Sequence, residues 1–125
     1  MTKILIVAIA FFVCLSSFGQ NANTRTEIQA KKLADSLYSK LLKGASFKIL
    51  ANKYSEDPAT NKKGGHYAPC EVGTMTPEFE EVVLKLKLKE ISKPFKTTFG
   101  YHIAQLLTRH GNKFEVRHIL ITFDE

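Results

Sequence analysis

Apolar positions recur along this chain with two different periods, and each change of period marks an element. Ala30, Leu33, Ala34, Leu37, Tyr38, Leu41 and Leu42 return every three or four residues, which lines one face of a helix. Thr26-Glu27-Ile28-Gln29 precedes them with the spacing of a capping box, and Gly44 follows as a stop. Ser46 caps a second, shorter helix whose face is Phe47, Leu50, Ala51 and Tyr54. A polar stretch from Ser55 to Gly65 breaks the pattern, and its Gly64-Gly65 pair requires a bend or a close backbone approach. A third helix opens at Pro77 behind Thr76, with Glu78, Glu80 and Glu81 suited to the positive end of its dipole. Leu84-Lys85-Leu86-Lys87-Leu88 alternates like a strand and also continues the helix. The helix is placed to end near Leu84 to Lys85, with a turn over Lys87 to Glu90 and an edge strand around Ser92 to Lys96 that Pro94 interrupts.

Toward the end the pattern becomes strand-like. Tyr101 to Leu107 and Phe114 to Ile121 read as two strands joined by His110-Gly111-Asn112-Lys113, a tight antiparallel reversal. Each strand carries one histidine, His102 and His118. Strand side chains alternate faces, so an odd loop count or one bulge puts both imidazoles on the same face, within about 8 Å, and a one-residue slip separates them. Two ordinary half-buried histidines are the plainer alternative. The element order gives an α+β domain with a small antiparallel sheet flanked by helices.

Lys3, the apolar run Ile4 to Leu15 and the small residues Ser17 and Gly19 have the order of a secretory signal peptide, with cleavage after Gly19. Residues 1–19 are therefore a leader and residues 20–125 the domain. The run is too short to span a bilayer of roughly 30 Å comfortably, so no stable membrane span is expected after cleavage. Cys14 leaves with the leader, and Cys70 alone forms no intrachain disulfide even in an oxidising compartment. The formal charge is +6, with lysines dispersed rather than interleaved with aromatics, which argues against nucleic acid as a partner.

Five segments in order, Tyr54-Ser55-Glu56-Asp57-Pro58, Gly64-Gly65, Gly73-Thr74-Met75-Thr76-Pro77-Glu78-Phe79-Glu80, Glu90-Ile91-Ser92 and Thr97-Thr98-Phe99-Gly100-Tyr101-His102-Ile103, resemble the parvulin family of peptidyl-prolyl cis/trans isomerases. The resemblance implies a foldase of the periplasm or cell envelope that acts on unfolded or extended proline-containing polypeptides and needs no cofactor. It implies a prolyl pocket of Met75, Phe79 and Tyr67, and a polar centre of His102, His118, Asp57 and Thr97. Parvulins open with a strand of the form Arg/Ser-His-Ile-Leu, whereas here Arg117-His118-Ile119-Leu120 comes last. Residues 114–125 are thus either a permuted first strand or the start of a truncated second domain. His66-Tyr67-Ala68, Cys70 and Lys89 depart from the family pattern, and Lys89 has to accept a left-handed conformation or force another turn.

Each of these residues has a plainer reading. Met75 and Phe79 suit an ordinary core, Asp57 before Pro58 suits a turn, and Thr97 suits any strand. A non-catalytic periplasmic chaperone module that grips extended segments in the same groove is the competing function. His66, Cys70, His102 and His118 are zinc-type ligands, but His66-x-x-x-Cys70 is a lone spacing, and no metal is assigned.

Overall fold

The computed structural model describes residues 24–124, so the leader expected over residues 1–19 lies outside the described residues. Among the described residues three helices, α1 (Glu27–Leu42), α2 (Phe47–Tyr54) and α3 (Pro77–Val83), accompany four strands, β1 (Cys70–Glu71), β2 (Phe95–Thr97), β3 (Gly100–His110) and β4 (Lys113–Ile121). The strands form one antiparallel sheet in the order β1-β4-β3-β2. The architecture is α+β, and the C-terminal segment supplies the strand beside β3.

Local chemistry sets the helix boundaries. Thr26 Oγ1 accepts from the Gln29 amide at 3.1 Å while Gln29 Oε1 accepts from the Thr26 amide at 2.9 Å, a closed capping box. Ser46 Oγ accepts from the Ile49 amide at 3.2 Å to start α2. Ala30, Ala34, Leu37 and Leu41 form the buried stripe of α1, and Leu42, one residue around the helix from Leu41, is 63% exposed instead of joining it. The edge strand begins at Phe95 rather than Ser92, because Pro94 has no N–H to offer a ladder. Ser92 still tethers that segment: its amide donates to the Ala104 carbonyl at 2.7 Å and its Oγ accepts from the Ala104 amide at 3.0 Å. Lys89 takes the left-handed conformation, φ 71°, and its amide donates to the Leu106 carbonyl at 2.6 Å. The two-residue strand β1 carries no pattern long enough to announce itself in the sequence.

The sheet separates two apolar clusters. Tyr101, Ile103, Ile119 and Ile121 pack against α1 and α2, while Ala104, Leu106, Phe114 and Val116 pack against Phe79 and Val83 of α3. Which face each histidine takes depends on one residue. The hairpin turns through Gly111-Asn112, with His110 opposite Lys113 and Arg109 opposite Phe114. That register, continued, would set His102 opposite Ile121 and His118 opposite Gln105, on different faces. Leu107 is skipped, and beyond this bulge Ala104 faces His118 and His102 faces Leu120. Both imidazoles then project to the α3 side.

The segment after α2 fixes the far half of β4. Ser55 Oγ accepts from the Leu120 amide at 3.1 Å, and the Glu56 amide donates to the Leu120 carbonyl at 2.8 Å. Glu56 Oε1 accepts from the Thr122 amide at 2.8 Å and pairs with Arg25 at 2.6 Å. Gly65 closes in from the side: the His118 amide donates to its carbonyl at 2.9 Å, and a Cβ there would stand 2.2 Å from the His118 carbonyl oxygen. Gly64-Gly65 therefore provides a bend and a close backbone approach together.

Candidate active site

Four buried side chains form one hydrogen-bonded line across the α3 face of the sheet. Thr97 Oγ1 meets His102 Nε2 at 2.6 Å, His102 Nδ1 meets His118 Nδ1 at 3.2 Å, and His118 Nε2 meets Asp57 Oδ2 at 2.7 Å. The ends dictate where the protons sit. Asp57 Oδ2 is a carboxylate oxygen that also accepts from Tyr67 Oη at 2.6 Å and Thr60 Oγ1 at 2.7 Å, so His118 donates through Nε2 and, as a neutral ring, accepts through Nδ1. His102 then donates through Nδ1 and accepts at Nε2 from the Thr97 hydroxyl. That hydroxyl is free to donate because its oxygen already accepts from the Phe99 amide at 3.1 Å. Every proton points from Thr97 toward Asp57.

This order of protons is that of two neutral imidazoles, and burial favours the neutral form of both. Burial pushes the His102 pKa down to about 3, with His118 beside it adding to the effect and the Asp57 charge opposing it. His118 is also lowered by burial, against the pull of Asp57. Burial alone would raise the Asp57 carboxyl, but the hydrogen bonds from Tyr67, His118, Thr60 and the Ala59 amide outweigh it and hold the group well below the usual carboxylate range. Tyr67 is pushed up, first by burial and then by its bond to the Asp57 carboxylate, and stays a donor.

A cavity of about 210 Å³ opens onto this pair, lined by Tyr67, Thr74, Met75, Thr76, Phe79, Phe99 and the two histidines. Phe79, 4% exposed, sets its ring edge-on to both imidazoles at centroid distances of 5.4 and 5.6 Å. Phe95 stacks on His102 at 5.3 Å, and Tyr67 lies 5.0 Å from His118. All seven residues singled out from the sequence thus meet here: Met75, Phe79 and Tyr67 in the wall, His102, His118, Asp57 and Thr97 in the polar line. The plainer readings also apply in part, since Asp57 Oδ1 caps a turn by accepting from the Ala59 amide at 3.1 Å.

Sequence reasoning missed Thr60, Phe95 and the lining threonines Thr74 and Thr76. Thr60 and Asp57 lie within one turn, an i, i+3 spacing that carried the only local signal. Glu80 lies in the first turn of α3 as expected, and its buried carboxylate also accepts from the backbone amides of Gly73 and Met75. His66 is held by Glu115 at 2.8 Å, and burial raises the thiol pKa of Cys70. Among the described residues no group of three or more His, Cys, Asp or Glu side chains could hold a metal ion.

A family model for the PPIC-type PPIase domain matches residues 2–110. The chain is 51% identical over 75 residues to the foldase protein PrsA of Caldanaerobacter subterraneus subsp. tengcongensis, covering 60% of this chain and 24% of that protein. It is 40% identical over 87 residues to the chaperone SurA of Pseudomonas fluorescens, covering 70% of this chain and 20% of that protein. The chain thus spans about a quarter or less of the length of these relatives. The crystal structure of the peptidylprolyl isomerase PrsA from Bacillus anthracis superposes on 76% of this chain and 37% of its own, with a TM-score of 0.57 and 32% identity. The matched residues stop at His110, so β4 and His118 lie beyond them. With the fold and the order of its motifs in agreement, the chain belongs to the PPIC-type peptidyl-prolyl isomerase domain family.

Proposed function

We propose that this chain is a peptidyl-prolyl cis/trans isomerase domain that acts on exposed proline-containing segments of exported polypeptides. The observation that carries the reading is the closure of the polar line: all four imidazole nitrogens of His102 and His118 are occupied by Thr97, Asp57 and each other. No ring nitrogen is left over to attack a substrate or to trade a proton with it. What the pair presents to the cavity is a rigid, uncharged aromatic floor.

That is what the reaction asks for. Rotation about the peptide bond is opposed by a barrier of about 18–20 kcal/mol that comes from amide resonance, and resonance also makes the planar amide the more dipolar form. A pyrrolidine ring seated between Met75, Phe79 and Phe99 would bring its amide into an apolar, water-poor site. The planar dipole is disfavoured there relative to the twisted amide, and only such differential stabilisation accelerates the step. Asp57 and Thr97 contribute indirectly, by fixing ring orientation and tautomer.

The leader-like order of Lys3, Ile4 to Leu15, Ser17 and Gly19 supports export of residues 20–125 to the periplasm or cell envelope. Among the described residues no helix is long and apolar enough to cross a membrane. Phe99, 61% exposed at the cavity rim, favours a second reading in which the groove holds extended chains without turning them over. An X-Pro peptide exchange assay and a proline-limited refolding assay separate the two. Acceleration over the uncatalysed relaxation, tens to hundreds of seconds, is expected. Background rates together with delayed aggregation would establish the chaperone reading instead.

A further inference from the structure

Glu80 is a buried carboxylate that forms no salt bridge among the described residues. It is 7% exposed, and its three hydrogen bonds all come from backbone: the Gly73 amide at 2.8 Å to Oε1 and 2.9 Å to Oε2, and the Met75 amide at 2.9 Å to Oε2. Burying a charge is costly unless it is well hydrogen-bonded, and an apolar side chain at this position on α3 would avoid the cost altogether. The return for keeping a carboxylate here has to be sought in what it holds. The loop it grips carries Thr74, Met75 and Thr76, three of the residues lining the cavity. Apart from Glu80, the loop is tethered by the Val72 amide on the Asn112 carbonyl at 2.9 Å and by local bonds from Thr74 to the Glu71 carbonyl. Gly73 and Thr74 are themselves exposed, so packing does not fix them. Phe79 and Glu80 are consecutive, and the short helix α3 therefore lines the cavity directly with one side chain and clamps the neighbouring lining loop with the next.

We propose that Glu80 is the positioning residue of the prolyl pocket: it pins the backbone from Gly73 to Met75 so that Met75 keeps its place in the cavity lining with Phe79 when a proline ring enters. The proposal rests on the isomerase reading and assigns to Glu80 a control of substrate affinity that is independent of the histidine line. A loop clamped before binding does not have to be ordered by the substrate, which would otherwise weaken association.

The test is Glu80→Gln, nearly the same shape but with an amide NH₂ set against amide N–H donors. The expected result is a KM for an X-Pro peptide raised about tenfold with kcat within about twofold, and a matching weakening of peptide Kd by NMR titration. The backbone amide resonances of Gly73 and Met75 should move upfield while the ring resonances of His102 and His118 stay put. An unchanged KM and Kd, or a fall in kcat with displaced histidine signals, overturns the proposal. Should the variant fail to fold, hydrogen exchange on the wild-type chain decides: Gly73 and Met75 amides protected well above unstructured rates support the clamp, and unprotected amides refute it. If the wild-type chain binds the peptide without accelerating its isomerisation, the isomerase reading fails, and the Kd ratio still judges Glu80. Absence of peptide binding to the wild-type chain overturns both.

Discussion

His102 and His118 meet Nδ1 to Nδ1 at 3.2 Å on one face of a sheet whose turn register alone would place them on opposite faces. The Leu107 bulge reconciles the two facts, and burial then favours the neutral pair, with the Thr97 hydroxyl donating to His102 at one end and the Asp57 carboxylate accepting from His118 at the other. The consequences are open to measurement.

Acid should destabilise the protein well above the usual carboxylate range. An unfolded histidine titrates near pH 6.5, whereas folded His102 holds out to about 3, so between these values the unfolded chain binds a proton that the folded chain does not. Stability is then full above about pH 6.5 and falls as pH drops toward 3, by about 1.4 kcal/mol per pH unit for each such histidine. His118 adds in the same direction, and Asp57, held low when folded, adds further loss below about pH 3.9. Urea midpoints at pH 7.5, 5.5 and 4.5 should decline steadily, and His102→Phe should flatten the decline. A midpoint that is level from pH 7.5 to 4.5 would refute the neutral pair.

Activity, by contrast, should show no titration of His102 between about pH 6 and 8, because that ring holds its neutral form down to about pH 3, and burial lowers His118 in the same direction. A bell or a step in kcat/KM near neutrality would instead assign proton transfer to the pair.

Phe79 touches both histidines and Phe95, and truncating it removes a cavity wall. Phe79→Ala should cost about 3–5 kcal/mol of stability and nearly all isomerase activity. Because that loss approaches the total stability of a small domain, Phe79→Leu is the cleaner probe. It should stay folded by circular dichroism and lose at least about tenfold in kcat/KM, and retention of full rate would remove Phe79 from the pocket.

Neighbouring glycines should respond differently. A methyl at Gly65 meets the His118 carbonyl oxygen at 2.2 Å, and backbone cannot yield without dragging β4 and His118 along. At Gly64 the nearest atom, at 2.6 Å, is Cγ of the flexible Lys48 side chain. Gly65→Ala should therefore abolish activity or folding. Gly64→Ala should cost less than Gly65→Ala, namely the roughly 1–2 kcal/mol of its left-handed backbone together with a shift of the Lys48 side chain, whose Cβ also lies 3.1 Å away. Equal effects in thermal unfolding would contradict the tight Gly65–β4 contact.

Lys89 offers the opposite experiment. At φ 71° it pays the penalty of a side chain in left-handed backbone, and Lys89→Gly should relieve about 1 kcal/mol, raising Tm by several degrees without altering kcat/KM. A lowered Tm would mean that the lysine side chain itself stabilises the turn.

The helices and the site's chemistry were largely legible in the sequence. The Thr26 capping box, the Ser46 cap, Pro77 and the apolar stripes act within a few residues, and short-range rules carry that information. The family resemblance of the motifs from Tyr54 to Ile103, together with Arg117-His118-Ile119-Leu120, named the candidate side chains. Less legible were the parts that depend on partners far away in the chain. Strand β1 is two residues long and exists because Cys70 pairs with Phe114. Leu42 has the periodicity of a core residue and lies off the stripe that the sheet covers. Glu80 looks like an ordinary first-turn acid until the loop before it folds back onto its carboxylate.

The sequence by itself determined that two histidine-bearing strands would pair around Gly111-Asn112, because strand period and turn chemistry are local properties. It left open whether the imidazoles share a face, since both outcomes satisfy the same alternation and differ by one unpaired residue. The tertiary structure made that choice. Bulging Leu107 lets Ile103, Ile119 and Ile121 cover α1 and α2 while Ala104, Leu106, Phe114 and Val116 cover α3, so two apolar faces are buried at once. Burial on both sides of the sheet selects the register, and the register brings His118 to His102.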